Sequence, residues 1–558
     1  MKKLLTIVVM GLLMLGCFSV LSVNAQYDEV NILMAAEPVT LNAIESQSNL
    51  DEYVFYLTSA MLFRSIDQDA VPEICDTMTV SEDHRTYTYT IKDAQYSDGT
   101  PITADDFVYY MIKRYLTSEN CTQFVGGEDT YNNDLDTCEG IYTVDDKTFV
   151  VTLVEPLVTF TGELGIYPVN KAFVESKGEA YGGTPADLQY SGPYILDSWT
   201  VGTSLKLHKN DSYINADTSF PVQNVNLIYA TDVSTVYSMW MNNELDIITS
   251  VSVDLAELLG EENCEKYVSG NLGGLEFNTT GFTYTEGDGF VSRGDDVTAL
   301  MKNLNFRKAL AAAIDREALV NAVVPNDTAY NRYVSPSVQG TGDDPYVEEF
   351  ELTEVIPLNG DQDAAKAYLA AALEELGYSD VSELPKLQFL CFENENQKNT
   401  AVTIVSLWKS VLGLDNIEIN LQPIQAAIMS MVFMNYDIYL QQLSLDPEQY
   451  IDLLGFWVTT GAVSDVAEFQ NSGVPSFMAS MHINEEYDSV VASLYSNFDD
   501  AARFADMAKA EQLLYSDFAF FPIYAGGGYQ ITKDYISGWV NPYLENGYGI
   551  TNIVIDAH

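Results

Sequence analysis

Carboxylates are the only reactive groups this sequence carries in abundance. Asp and Glu number 81 against 26 Lys and Arg, a formal net charge of −55. The four histidines, His84, His208, His482 and His558, stand singly and far apart, so no His-built zinc site is expected. None of the six cysteines (Cys17, Cys75, Cys121, Cys138, Cys264, Cys391) belongs to a CxxC pair. No GxSxG motif is present and no His sits in a catalytic motif, so no nucleophile with its base is legible. Counting alone leaves paired carboxylates for glycoside cleavage open. The acidic residues are spread along the chain, as on a solvated surface that keeps an exported protein soluble, and a preference for cationic ligands is secondary. A nucleic-acid polyanion would be repelled.

The N-terminus reads as a targeting segment. Lys2 and Lys3 precede an apolar run from Leu4 to Leu21, and Val23-Asn24-Ala25 offers small residues at a cleavage site. A second route competes: Met14-Leu15-Gly16-Cys17 resembles a lipoprotein signal, in which Cys17 is lipidated and becomes the new N-terminus. No later stretch reaches the about 18 apolar residues that span a bilayer. The mature protein is therefore expected outside the membrane, anchored or free. Without Cys17 five cysteines remain, so at least one is unpaired within a monomer. Cys121 and Cys138 are the nearest pair, and a disulfide between them is permitted outside the cell.

These groups need a scaffold, and 558 residues are too many for one compact core. At least two lobes are expected, and 47% hydrophobic with 12% aromatic content is that of a globular chain. Val30 to Met34 reads as a strand. Arg85 to Ile91 alternates, with Tyr87, Tyr89 and Ile91 on one face. Asp98-Gly99-Thr100-Pro101 is a turn. Thr103 caps the helix that follows, with Asp106 completing a capping box, and the helix runs through Phe107 and Tyr110 towards Arg114. Further on, Asp361 to Leu376 is a helix stopped by Gly377. Leu387 to Phe392, Thr400 to Leu412 and Ile417 to Leu421 then read strand, helix, strand, which implies a parallel pair with a right-handed crossover. The region from about 290 to 515 looks like an α/β lobe of its own.

The run Tyr96-Ser97-Asp98-Gly99-Thr100-Pro101-Ile102-Thr103-Ala104-Asp105-Asp106-Phe107-Val108-Tyr109 resembles the signature of the family 5 extracellular solute-binding proteins, which serve peptide and nickel importers. Its Phe-Val-Tyr ending resembles the oligopeptide-binding branch. Further segments match in family order: Glu37-Pro38-Val39-Thr40-Leu41-Asn42, Ser191-Gly192-Pro193-Tyr194, and Asn243-Glu244-Leu245-Asp246-Ile247, where Asn243 replaces a Gly that favours a left-handed backbone. Phe277-Asn278-Thr279, the run from Asn305 to Arg316, and Ala510 to Tyr524 complete the series. Most of these are read as structural, with Arg307 and Asp315-Arg316 pairing inside the fold.

The resemblance implies a two-lobe periplasmic-binding-protein-like α/β fold with an extra subdomain in the first lobe. After the signal (1–25, or ending before Cys17), the first lobe is expected at 27–62, 187–285 and 516–558, its extra subdomain at 63–186, and the second lobe at 286–515. Two crossings are expected to join the lobes, near 270–290 and near 515–525, and Gly526-Gly527-Gly528, just past the second, would lend flexible backbone for closure by a hinge. The implied function is capture of oligopeptides between the closing lobes and delivery to the permease subunits of an ABC importer. No cofactor, metal or catalysis is implied, and the protein is expected to be a monomer.

In the family an Asp after a Tyr-Asp strand pairs with the peptide's amino group. Here Tyr436-Asp437-Ile438 is that strand, and counting forward places the ligand residue at Asp446. An alternative alignment puts that position on Leu443, with the carboxylate lost. By the same resemblance, main chain near Leu443 and Ser444 and the loop Gln47-Ser48-Asn49 flank the peptide, and Arg332 is the candidate cation for a peptide carboxylate. Two other classes stay open: a same-fold receptor for a nickel complex or oligosaccharide, and a secreted hydrolase.

Overall fold

The computed structural model describes residues 28–34, 36–46, 49–66, 69–117, 120–162, 165–285, 289–341, 344–353, 355–443, 450–455, 457–458, 484–518, 520–540 and 549–556. The chain divides into two compact units. The first takes residues 1–155, 162–264 and 530–558, and the second takes 156–161 and 265–529. The fold class is α/β in two units, as expected.

In the first unit the strand Glu29–Met34 lies parallel to both Asn224–Tyr229 and Ile247–Val251. Ser204–Lys209 and Tyr194–Thr200 extend that sheet antiparallel. A separate antiparallel sheet orders Cys75–Val80, Thr86–Ile91, Thr148–Thr152 and Ile141–Asp145. Its strand Thr86–Ile91 buries Tyr87, Tyr89 and Ile91, the face that the alternation predicts. Thr103 caps the helix Ala104–Tyr110, its backbone N–H donating to Asp106 Oδ2 at 2.9 Å. Tight approach explains Gly192, where a Cβ would stand 2.4 Å from Ser59 N. Asn243 adopts φ +60°, the left-handed conformation its place in the motif demands.

Strands of the second unit run in the order Ile417–Gln422, Leu387–Phe392, Ile438–Leu443, Glu265–Phe277, Phe520–Thr532, the last continuing past the unit's end at residue 529. The first two strands pair in parallel across the helix Glu395–Leu412. Apolar side chains from helices and strands meet in one core that includes Phe277, Leu310, Trp408, Leu440 and Phe520. Arg316, wholly buried, donates to the carbonyls of Pro522 at 2.9 Å and Ile356 at 2.6 Å. Arg307 donates to those of Phe518, Met301 and Asp517. Both arginines bind backbone carbonyls inside the fold.

Two expectations change. Gly526, Gly527 and Gly528, expected to lend flexible backbone, lie within the strand Phe520–Thr532. Cβ atoms there would meet Asn271 Cβ at 2.8 Å, Tyr267 O at 2.5 Å and Tyr267 Oη at 2.6 Å, so close packing rather than flexibility accounts for them. Cys121 and Cys138 are free buried thiols, as is Cys75, and Cys138 Sγ donates to Val125 O.

Candidate ligand-binding site

The strand Ile438–Leu443 leads into the segment from which the resemblance draws a ligand residue. Asp437, just before it and 1% exposed, accepts Nε and Nη2 of Arg293 at 2.7 and 2.9 Å. Its Oδ2 also accepts Gln388 N at 2.7 Å, tying the strand's start to its parallel neighbour. Such forked, charge-assisted bonds fix geometry as well as contribute energy. Leu443 closes the strand opposite Leu272, its side chain buried in the core. Ser444 and Asp446 lie outside the described residues, as do Gln47, Ser48 and Cys17.

In the first unit Asn49 is the first residue of the helix Asn49–Thr58. Asp51, fully buried in that helix's first turn, gathers the preceding loop: its Oδ1 accepts Val39 N at 2.6 Å and Thr40 N at 3.2 Å, and its Oδ2 accepts Ser46 Oγ at 3.0 Å. One carboxylate thus anchors both ends of the Val39 to Ser46 segment. An acidic residue in the first turn also suits the helix dipole.

Arg332 is buried in the second unit, its guanidinium forked onto Glu511 through Nε at 3.0 Å and Nη2 at 2.6 Å. Glu511, with no exposed surface, also accepts Tyr333 N at 2.8 Å and Tyr346 Oη at 3.0 Å. This arrangement joins Arg332, Tyr333 and Tyr346 to the helix Asp500–Asp517.

Sequence reasoning missed Glu276. It lies in the strand Glu265–Phe277 opposite Tyr439, 4% exposed, with Oε2 lacking a hydrogen-bond partner. Burial pushes its carboxyl up to about 8, and a hydrogen bond from Tyr436 holds it back. The Leu275-Glu276-Phe277 run was the signal: one acid between apolar residues in a strand. Among the described residues no group of three or more His, Cys, Asp and Glu is placed to hold a metal ion, and no helix is long and apolar enough to cross a membrane.

A two-unit α/β chain with this sheet order is built as solute-binding proteins are. The structure aligns with Listeria monocytogenes OppA bound to peptide over 96% of this chain and 100% of that one (TM-score 0.67, 22% identity). It aligns with the unliganded open form of the periplasmic murein tripeptide-binding protein MppA over 96% and 98% (TM-score 0.73, 22% identity). Residues 69–465 match the family described as bacterial extracellular solute-binding proteins, family 5 Middle, and the chain belongs to that family. It is similar to the dipeptide-binding protein DppE of Bacillus subtilis (strain 168), 24% identical and covering 85% of this chain and 82% of that protein. It is also similar to the periplasmic oligopeptide-binding protein OppA of Haemophilus influenzae (strain ATCC 51907 / DSM 11121 / KW20 / Rd), 24% identical over 96% and 95%.

Proposed function

We propose that this chain captures oligopeptides outside the membrane and delivers them to the permease subunits of an ABC importer, as a monomer that performs no catalysis. One observation supports this above all: relatives named for dipeptide and oligopeptide binding match it along most of their own length and of its own. A receptor for varied peptides must hold what all peptides share. An ammonium calls for a fixed, desolvated carboxylate, a backbone calls for strand-like main chain, and side chains call for hydrated pockets.

In this reading Asp446 pairs with the peptide ammonium. Main chain near Leu443, the last residue of the strand Ile438–Leu443, and Ser444 flanks the peptide in this reading, as do Gln47, Ser48 and Asn49. The Arg293 pair at the strand's start supports such a role, because the ligand segment then leaves a pinned strand. Arg332, engaged by Glu511, serves the fold. Export follows either the Ala25 cleavage or lipidation at Cys17. The extra subdomain of the first lobe is assigned to 63–186, which holds the four-stranded sheet.

The test is mass spectrometry of material that co-purifies with the mature protein, followed by calorimetry with the peptides recovered. Peptides of mixed sequence and narrow length are expected. Recovery of only a nickel complex or an oligosaccharide, with no peptide bound, would sink the reading.

A further inference from the structure

Apart from residues 156–161, the chain enters the second unit at Glu265 and leaves it after Tyr529. Both passages lie in strands. Glu265–Phe277 begins at the first, Phe520–Thr532 runs through the second, and the two strands are neighbours in the sheet. One short loop holds both strands close to these points. Lys266 Nζ donates to the carbonyls of Asp327 at 2.8 Å and Pro325 at 3.3 Å. Gly527 N donates to Asp327 Oδ1 at 3.1 Å.

The strand pairing explains why a side chain is used. Thr328–Ala329 pairs antiparallel with Ala525 and Tyr524, so that ladder ends just short of Gly527. The Asp327 carboxylate takes the N–H that a longer ladder would have taken. Gly527 has no room for a side chain: a Cβ would stand 2.5 Å from Tyr267 O and 2.8 Å from Asn326 O, so the neighbouring strand and the loop both abut it. Burial pushes the Asp327 carboxyl up to about 6, with the Gly527 N–H and then Lys266 holding it back. It is therefore largely ionised at neutral pH, and its bond to Gly527 is charge-assisted. Hinges between closing lobes are a few loop or element-terminal residues that absorb the φ/ψ change. A residue held by a ladder bond is tied to main chain, whereas one held by a carboxylate is released by rotation of that side chain alone.

We propose that Asp327 clasps the strand Phe520–Thr532 at Gly527 and sets how fast the two units close on a peptide and open to release it. The inference rests on the peptide reading above and on closure by a hinge. Asp327 is a positioning residue, acting through the Gly527 N–H. The bond holds in both end states and gives way in the passage between them, so it governs rates and leaves affinity nearly unchanged.

For the test, the mature protein is loaded with a library of tri- to pentapeptides and freed of unbound peptide. The peptide still retained is quantified by mass spectrometry over time. Retention at equilibrium across library concentrations gives affinity, and thermal melts confirm that each variant is folded. Asp327→Ala should release peptide on the order of 10-fold faster than wild type, the scale of a charge-assisted bond, with affinity little changed. Asp327→Asn keeps an uncharged acceptor and should fall between the two. Lys266→Met frees the loop's carbonyls and should speed release by a smaller factor. Release from Asp327→Ala at the wild-type rate overturns the proposal. So does an affinity that falls in step with the faster release, the mark of a residue that only maintains the bound structure. Either result leaves the peptide reading standing. If wild type retains no peptide, the peptide reading fails and this inference with it. An unfolded Asp327→Ala leaves the decision to Asp327→Asn, whose release at the wild-type rate would count against the clasp.

Discussion

Arg293 grips Asp437 through a two-bond fork, Nε to Oδ1 at 2.7 Å and Nη2 to Oδ2 at 2.9 Å, across 144 residues of sequence. The pair joins the segment after the Gly289–Ser292 strand to the start of the strand Ile438–Leu443. Removing one partner leaves a buried carboxylate with Gln388 N as its remaining hydrogen bond. Arg293→Ala should therefore destabilise the protein by about 3 kcal/mol, in the range for breaking a buried pair. The double variant with Asp437→Asn should cost less than the sum of the singles. Urea denaturation of the four proteins measures this, and simple additivity would show that the fork carries no coupling.

Gly192 is argued from space. A Cβ there would stand 2.4 Å from Ser59 N and 2.5 Å from Thr58 C, both backbone atoms that yield only if the chain shifts. Gly192→Ala should cost roughly 1 to 3 kcal/mol, the usual range for overpacking. Gly99→Ala makes the contrast: a Cβ meets nothing within 4 Å, and its penalty comes from φ +86° alone. Thermal melts of the two variants separate the causes, with Gly192→Ala expected to be the less stable.

What the sequence disclosed was local. Asp361 and Gly377 bracket the helix Gln362–Leu376 because a cap and a left-handed glycine are written into adjacent residues. The helix Glu395–Leu412 starts before the Thr400 expected of it: Asn394 caps it, while the polar run from Glu393 to Lys398 shows no apolar period to read. Partners far apart in sequence stayed hidden. Nothing around Arg332 points to Glu511, 179 residues on, so a buried arginine reads as a loop cation. Gly526 to Gly528 read as a hinge because the strand that crowds them, near Tyr267 and Asn271, is distant in the chain. The proposed ligand segment was legible only by resemblance, since an Asp before a Pro is equally a turn.

Glu276 sets a pH dependence. Its carboxyl is pushed up to about 8 by burial, against a model-peptide value near 4.3 in the unfolded chain. Between these values the folded protein holds a proton that the unfolded chain has released. Its stabilising contribution is therefore complete below about pH 4 and is lost as pH rises through about 8. The facing titratable groups are Tyr436, just before the strand Ile438–Leu443, and Tyr439 across from it, both neutral over this range. Glu276→Gln keeps the shape and removes the titration. Wild type should lose on the order of 4 kcal/mol relative to Glu276→Gln between about pH 5 and 9. Urea midpoints across that range decide it, and parallel curves for the two proteins would place the carboxyl's titration elsewhere.

Asp446 is the sharpest test of the proposed peptide anchor. If it holds the ammonium, Asp446→Asn keeps the side chain's shape and removes its charge. The loss should exceed that of a surface Asp, because a desolvated partner is left unpaired. Such truncations cost roughly 2 to 5 kcal/mol, or on the order of 30- to several-thousand-fold in affinity. N-acetylation of the peptide should cost wild type a similar amount, and it should cost the mutant little more, since both changes delete one interaction. Calorimetry on this two-by-two set measures the coupling. Asp437 is a poor control, being occupied by Arg293 within the fold; the exposed Asp83, bonded to Ser81 Oγ at 2.6 Å, is the better one, and Asp83→Asn should leave affinity unchanged. If wild type binds acetylated and free peptides equally, Asp446 is not the anchor. The alignment that puts Leu443 at the ligand position then gains, with the ammonium held by another group or by none.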